Sequence, residues 1–106
     1  MISDYGKGDA IKVKISVGKG SDPNKGSEQY YRCEDITLYK ENPDITIFNY
    51  VRISDDLDDV SPIDLSIGVS RTTKEHVWQR GVMDRNDPSS VVNFEFIVDE
   101  VIKANP

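Results

Sequence analysis

The stretch "PIDLSIGVS", residues 62–70, is the clearest structural signal in the chain. Apolar side chains occupy every second position, and these are Ile63, Leu65, Ile67 and Val69. Because successive side chains of a β-strand point to opposite faces, a period of two predicts a strand with one buried face. We expect Ile63, Leu65 and Ile67 to face the core, with four further residues as their neighbours: Val13, Ile15, Phe94 and Phe96.

The same period recurs on both sides of this stretch. The segments "AIKVKISV" (10–17) and "VVNFEFIV" (91–98) are predicted strands with one apolar face. In "QYYRCEDITLYK" (29–40) the apolar phase changes, which indicates a bulge or tight turn near Glu34–Asp35. The segment "ITIFNYVRI" (45–53) is apolar on both faces, which is typical of a strand in the middle of a sheet, or between a sheet and a partner.

The segments between these strands are mostly polar. We expect a long mobile loop at 18–28, a turn at 41–44 and a polar loop at 83–90. The segment 72–81 is the one candidate helix, because Thr72 and Glu75 form a capping-box pattern, although a strand extension remains open. The sequence therefore predicts an all-β fold, an antiparallel β-sandwich or small barrel of five to seven strands, with at most one short helix near 72–80.

Length and charge limit the classes of protein that fit. The 106 residues suit one β domain over 1–106, with a flexible N-terminal segment 1–9. The net charge of −6 disfavours nucleic acid as a partner, since phosphate binding needs a basic face. No apolar run reaches the roughly 20 residues of a membrane helix, and the first residues do not resemble a signal peptide. We expect synthesis in the cytoplasm and no membrane partner.

An aspartate cluster lies within "RISDDLDDVSPID" (52–64). Four of its members are Asp55, Asp56, Asp58 and Asp59. Carboxylates are calcium ligands, but the glycine and glutamate that an EF-hand loop requires are missing. Close carboxylates also repel one another, keep a loop solvated and discourage strand pairing. We therefore predict no metal site, and we interpret the cluster as a solvated loop that could meet a basic partner.

Cys33 and His76, the single cysteine and the single histidine, allow a nucleophile-and-base interpretation. No local motif accompanies either residue, and Cys33 lies on the apolar side of a predicted strand, where a small buried side chain is usual. The glycine pairs at 6–8 and 18–20 lack the strand–loop–helix setting of a phosphate site. We predict no catalytic residue, no cofactor and no enzymatic activity.

Aromatic side chains beside cationic ones give the strongest indication of a contact surface. Tyrosine, tryptophan and arginine are enriched in protein interfaces. The candidate interaction residues are Tyr30, Tyr31, Phe48, Tyr50, Trp78 and Arg80, together with the four aspartates of the cluster. The alternative is that the aromatic rings pack over the sheet of their own chain.

In its architecture the chain resembles the small all-β structural proteins of tailed-phage virions, namely tail-tube, neck and decoration proteins. The resemblance rests on the loop at 18–28, the two-faced strand "ITIFNYVRI", the start "MISDYGKG" and the stretch "DLSIGVSRTTKEHVW". It implies a structural subunit that assembles with copies of itself or with other proteins of a virion. The alternative function is a small acidic inhibitor or binding module that engages a basic partner surface. A small hydrolase is the third function considered.

Overall fold

The computed structural model describes residues 6–54 and 61–104. This part of the chain forms seven β-strands and one 3-10 turn, Pro23–Lys25, and it contains no α-helix. The strands are β1 (Ala10–Val17), β2 (Ser27–Leu38), β3 (Ile45–Arg52), β4 (Asp64–Ser70), β5 (His76–Asp84), β6 (Asp87–Val92) and β7 (Phe94–Ile102). The predicted all-β antiparallel fold is confirmed, and the stretch at 62–70 contains strand β4.

All seven strands belong to one antiparallel sheet, in the order β6-β5-β4-β3-β2-β1-β7. The two edge strands, β6 and β7, are joined by the single residue Asn93. Two Cα–Cα steps span at most about 7.6 Å, whereas the edges of a flat seven-stranded sheet would lie roughly 29 Å apart. The sheet must therefore curl until its edges meet at Asn93, and it forms a half-barrel.

The core fills the concave face of the curled sheet. Leu65 and Ile67 are almost fully buried, and Ile63, which precedes β4, is half-buried. Their cluster contains Val13, Ile15 and Phe94, with Phe96 packed against it. The predicted neighbours of Leu65 are therefore confirmed, because the curl brings β1, β4 and β7 around one interior.

A change of register occurs in β2 between Cys33 and Asp35. This irregularity confirms the bulge predicted from the change of apolar phase. Because one residue is inserted, Ile36 and Leu38 return to the concave face, where they pair with Phe48 and Thr46. That face is deeply buried at Cys33 but open at Leu38, which is 69% exposed.

Three local predictions differ from the structure. The candidate helix at 72–81 is a turn followed by strand β5, since tertiary pairing with β4 overrides the capping pattern. The predicted loop at 83–90 contains a two-residue turn between β5 and β6, where Asp84 accepts a hydrogen bond from the backbone N–H of Asn86 at 2.9 Å. The predicted strand 91–98 is divided at Asn93 between β6 and β7, and the C-terminal residues up to Ile102 extend β7.

The loop at 18–28, predicted to be mobile, and residues 6–9 of the segment predicted to be flexible form hydrogen bonds within the chain. In the loop after β1, Asp22 caps the 3-10 turn, and Ser16 and Ser21 bond through their hydroxyls at 2.6 Å. Gly8 donates to the Cys33 carbonyl at 2.8 Å, and Asp9 accepts from Ala104 at 2.8 Å. These contacts attach the loop and residues 6–9 to the sheet without a second chain.

Candidate interaction surfaces

Three of the predicted interaction residues belong to the core. Tyr31, Phe48 and Tyr50 are at most 4% exposed, and the Tyr31 hydroxyl donates to the Pro62 carbonyl oxygen at 2.6 Å. A side chain that its own chain already covers offers no area to a partner. Their assignment to a subunit contact is therefore wrong, because all three lie on the concave face and the curl of the sheet covers them.

Tyr30 and Trp78 lie on the convex face and are half-buried. The Trp78 side chain packs beside Gly68 of the neighbouring strand β4. A Cβ added at Gly68 would come within 3.0 Å of the Trp78 Cβ and 3.1 Å of Ile45 Cγ2. The Tyr39 ring lies beside the indole, with 6.3 Å between ring centroids. Trp78, Tyr39 and Ile45 thus form an aromatic patch on the convex face that keeps part of its area open to a partner.

Arg80 lies on the same face, at the wall of a groove of about 340 Å³ that crosses the middle strands. Its guanidinium makes a long hydrogen bond of 3.5 Å to the Pro88 carbonyl. Arg85 closes the groove by a two-point contact with Asp64, at 2.8 and 3.2 Å, which raises the pKa of Arg85. The groove is lined by charges of both signs, from Glu34, Asp64, Arg80 and Arg85.

The two edges of the sheet carry exposed apolar side chains that sequence patterning did not single out. The side chains of Val77, Val91, Ile97 and Ile102 are 36–52% exposed, and they lie on β5, β6 and β7. The β6 edge contains Pro88 between acidic and small residues, a composition that discourages further strand pairing. The nine-residue β7 has no proline, so it is the more open edge, although Glu95, Asp99 and Glu100 place carboxylates along it.

Side chains close the seam between β5 and β7, where no backbone ladder pairs the two strands. His76 stacks on Phe96 with centroids 5.1 Å apart and planes 19° apart, and the Gln79 side chain donates to the Phe94 carbonyl. Partial desolvation beside the Phe96 ring lowers the pKa of His76, although the residue keeps much of its area exposed. A Cβ at Gly81 would come within 3.0 Å of the Phe94 ring, so glycine allows β7 to approach.

Cys33 and His76 do not form a nucleophile–base pair. The buried Cys33 thiol donates to the Asp35 carbonyl at 3.5 Å, whereas His76 contacts the Phe96 ring. Burial raises the pKa of the Cys33 thiol, which is opposite to the shift that a nucleophilic thiolate needs. The thiol is thus a small core side chain.

The four aspartates of the cluster, Asp55, Asp56, Asp58 and Asp59, lie outside the described residues. Within residues 6–54 and 61–104, no three histidine, cysteine, aspartate or glutamate side chains come together as a metal site would require. The interpretation of the cluster as a solvated loop or a docking surface stays a prediction.

A pocket of about 250 Å³ opens at the end of the concave face. Its floor is formed by Ile36, Phe48 and Val69, and its rim by Arg71 and Lys74 of the turn between β4 and β5. Sequence analysis missed this site, because the bulge in β2 is what turns Ile36 toward strands β3 and β4. The only sequence signal was the change of apolar phase at the bulge.

Comparison of the chain with protein-family models, with curated proteins and with solved structures finds no match. Among the described residues no helix is long and apolar enough to cross a membrane.

Proposed function

We propose that the protein is a non-enzymatic interaction subunit that works by assembly, and that its main contact runs along strand β7. The observation that supports this most directly is the part of β7 beyond the seam contacts of Phe94 and Phe96, where Ile97 and Ile102 are exposed and no described strand pairs on the outer side. An edge strand presents backbone groups that another strand can pair with, and exposed apolar side chains favour covering that edge.

The convex face supplies a second, adjoining surface for such a contact. Trp78 and Arg80 lie there on β5, the strand that faces β7 across the seam. Because Phe94 and Phe96 already contact β5, a partner strand would pair with the rest of β7, from Ile97 to Ile102. Tryptophan and arginine are among the residues that most often dominate binding energy. Tyr30, half-buried on the convex face of β2, is the remaining aromatic candidate.

The two edges of the sheet differ, so copies that pair edge to edge need not form a closed dimer. Pairing of β7 with a different surface of the next copy is a head-to-tail contact, which generates rings or filaments. The resemblance to tail-tube, neck and decoration proteins makes a phage virion the setting that we propose for this assembly. The partners are copies of the chain or other proteins of the same particle.

Sedimentation velocity across a wide range of protein concentration tests the proposal. We expect association that increases with concentration and that Ile97→Lys abolishes. Ile53→Lys is the matched control, because Ile53 and Ile97 are both 36% exposed but Ile53 lies outside the edge strands. A wild-type chain that stays monomeric at high concentration, or equal loss in both variants, would refute assembly through β7.

The alternative, an acidic inhibitor or binding module for a basic partner, depends on Asp55, Asp56, Asp58 and Asp59. This alternative is supported if the wild-type chain is monomeric and binds a basic protein, and if replacing these four aspartates by asparagine weakens that binding. Ile97→Lys therefore tests assembly through β7, whereas the four asparagine substitutions test binding to a basic partner.

A further inference from the structure

The pocket at the end of the concave face combines an apolar floor with a cationic rim. On the floor, Phe48 and Val69 are core residues, and Ile36 keeps 37% of its area exposed. Leu38 continues the same face two residues beyond Ile36, and it is 69% exposed. Removing apolar area from water is favourable, so covering this exposed surface contributes to the binding free energy of a ligand.

The rim carries two cations that are not neutralised by direct ion pairs. Among the described residues, no carboxylate lies within 4 Å of the charged groups of Arg71 or Lys74. Asp44 is close enough to Arg71 for that cation to help lower the pKa of Asp44. Its two oxygens, however, accept hydrogen bonds from Ser70 at 2.5 Å and from Thr72 at 2.7 Å. Among the residues that line the pocket, Arg71 and Lys74 are the charged ones, and both are cations.

The backbone of the turn holds Lys74 in a costly conformation. Its φ is +66°, the left-handed region, and its N–H donates to the Ser70 carbonyl at 2.9 Å. Residues other than glycine adopt this region rarely, because their Cβ comes close to the following carbonyl oxygen. A glycine would form the same turn more easily, so the lysine is better explained by its ammonium group than by the turn.

We propose that this pocket binds a small amphipathic monocarboxylate. The tail covers the exposed part of Ile36, below which the buried Phe48 and Val69 close the pocket, and the carboxylate lies between Arg71 and Lys74. An anion matches the two cations of the rim, and the mouths of β-barrels are common ligand sites. Because drug-sized ligands occupy pockets of about 300–1,000 Å³, a volume of about 250 Å³ suits a short alkyl or single-ring tail.

Titration with hexanoate, followed by NMR of the backbone amides and methyl groups, tests the proposal. We expect saturable shifts confined to the pocket, and weaker binding of hexanamide, which has a similar shape without the charge. Arg71→Gln and Lys74→Gln should each weaken hexanoate binding about two- to fivefold, the range for exposed ion pairs, and leave hexanamide unchanged. Lys19→Gln, an exposed lysine in the loop after β1, is the control and should bind as the wild type.

Two further variants keep the test decisive. Lys74→Gly removes the cation while relieving the backbone, so it should fold at least as well and still lose affinity for hexanoate. Ile36→Asp places a carboxylate on the partly exposed floor and should abolish binding. Shifts spread over the convex face, equal affinity for hexanoate and hexanamide, absence of saturation, or wild-type binding by both glutamine variants would overturn the proposal.

Discussion

Leu65 and Leu38 both lie on the concave face of the sheet, yet they differ in how far the chain covers them. Leu65 is 1% exposed and belongs to the core cluster, whereas Leu38 is 69% exposed. We expect Leu65→Ala to lower the free energy of unfolding by roughly 2–5 kcal/mol and Leu38→Ala to change it by less than about 0.5 kcal/mol. Urea denaturation of both variants measures the difference. Similar losses would mean that the mouth of the half-barrel is closed in solution.

Asp9 joins the two ends of the described chain. Its carboxylate accepts hydrogen bonds from Gly6 and Ala104, each at 2.8 Å, and lies 3.2 Å from the Lys103 ammonium. The backbone hydrogen bonds from Ala104 and Gly6, followed by Lys103, lower the pKa of Asp9 from 3.8 to about 2. A carboxyl group whose pKa is lower in the folded state stabilises the fold above its unfolded pKa, so this contribution is lost as the pH falls from about 4 to about 2.

The Asp9→Asn variant tests this contribution. Melting temperatures between pH 2 and 6 should show a smaller acid dependence for Asp9→Asn than for the wild type. Asp99→Asn, at an exposed carboxylate on β7, is the control and should retain the wild-type acid dependence. If the melting temperature of Asp9→Asn depends on pH as strongly as that of the wild type, the Asp9 carboxylate does not join the two ends in solution.

At the scale of the elements, the seam between β5 and β7 is the feature that a pH titration can probe. Partial desolvation beside Phe96 lowers the pKa of His76, the only histidine, so its ring favours the neutral form in the folded chain. The folded state then binds fewer protons than the unfolded state. Stability contributed by the neutral ring therefore falls as the pH drops below about 6.5, the unperturbed value, toward the lowered pKa.

NMR of the His76 ring proton measures this pKa directly. We expect a value below 6.5 in the wild type and a return toward 6.5 in Phe96→Ala, which uncovers the ring. Val91→Ala, on the outer side of β6, is the control and should leave the titration unchanged. An ordinary pKa in the wild-type protein would mean that the seam is open in solution.

At the scale of the whole molecule, net charge distinguishes the two proposed kinds of partner. Copies that each carry −6 repel one another, and the acidic side chains of β7 add to the repulsion locally. Salt screens this repulsion, since the Debye length shortens from about 30 Å at 0.01 M to about 3 Å at 1 M. Self-association through β7 should therefore strengthen with ionic strength, as sedimentation velocity would show.

Binding to a basic partner should respond in the opposite direction. Salt screens the attraction between an acidic module and a basic surface, so affinity falls as ionic strength rises. Association of copies that weakens with added salt would contradict the edge-pairing proposal, because apolar contact and backbone pairing do not depend on opposite charges.

Local alternation by itself determined strands β1 and β4. The period of two at 10–17 and 62–70 requires one buried face wherever these segments lie, because side-chain direction along a strand is set by backbone geometry. The bulge near Glu34–Asp35 followed from the same rule, since a phase change within one strand needs an inserted residue. The short polar segments were harder to assign, because the turn residues at 84–87 are equally compatible with a long loop and with a hairpin.

Only the tertiary structure decided which surfaces are available to a partner. Tyr31, Phe48 and Tyr50 have the composition of interface residues, but the curl imposed by the one-residue link at Asn93 makes them core. The same curl brings the start of β7 against β5, leaves Ile97 and Ile102 exposed, and places Arg71 and Lys74 at the rim of an apolar pocket. Alternation fixes which side chains share a face of a strand, whereas exposure depends on contacts between residues far apart in the chain, and those contacts form only when the sheet curls.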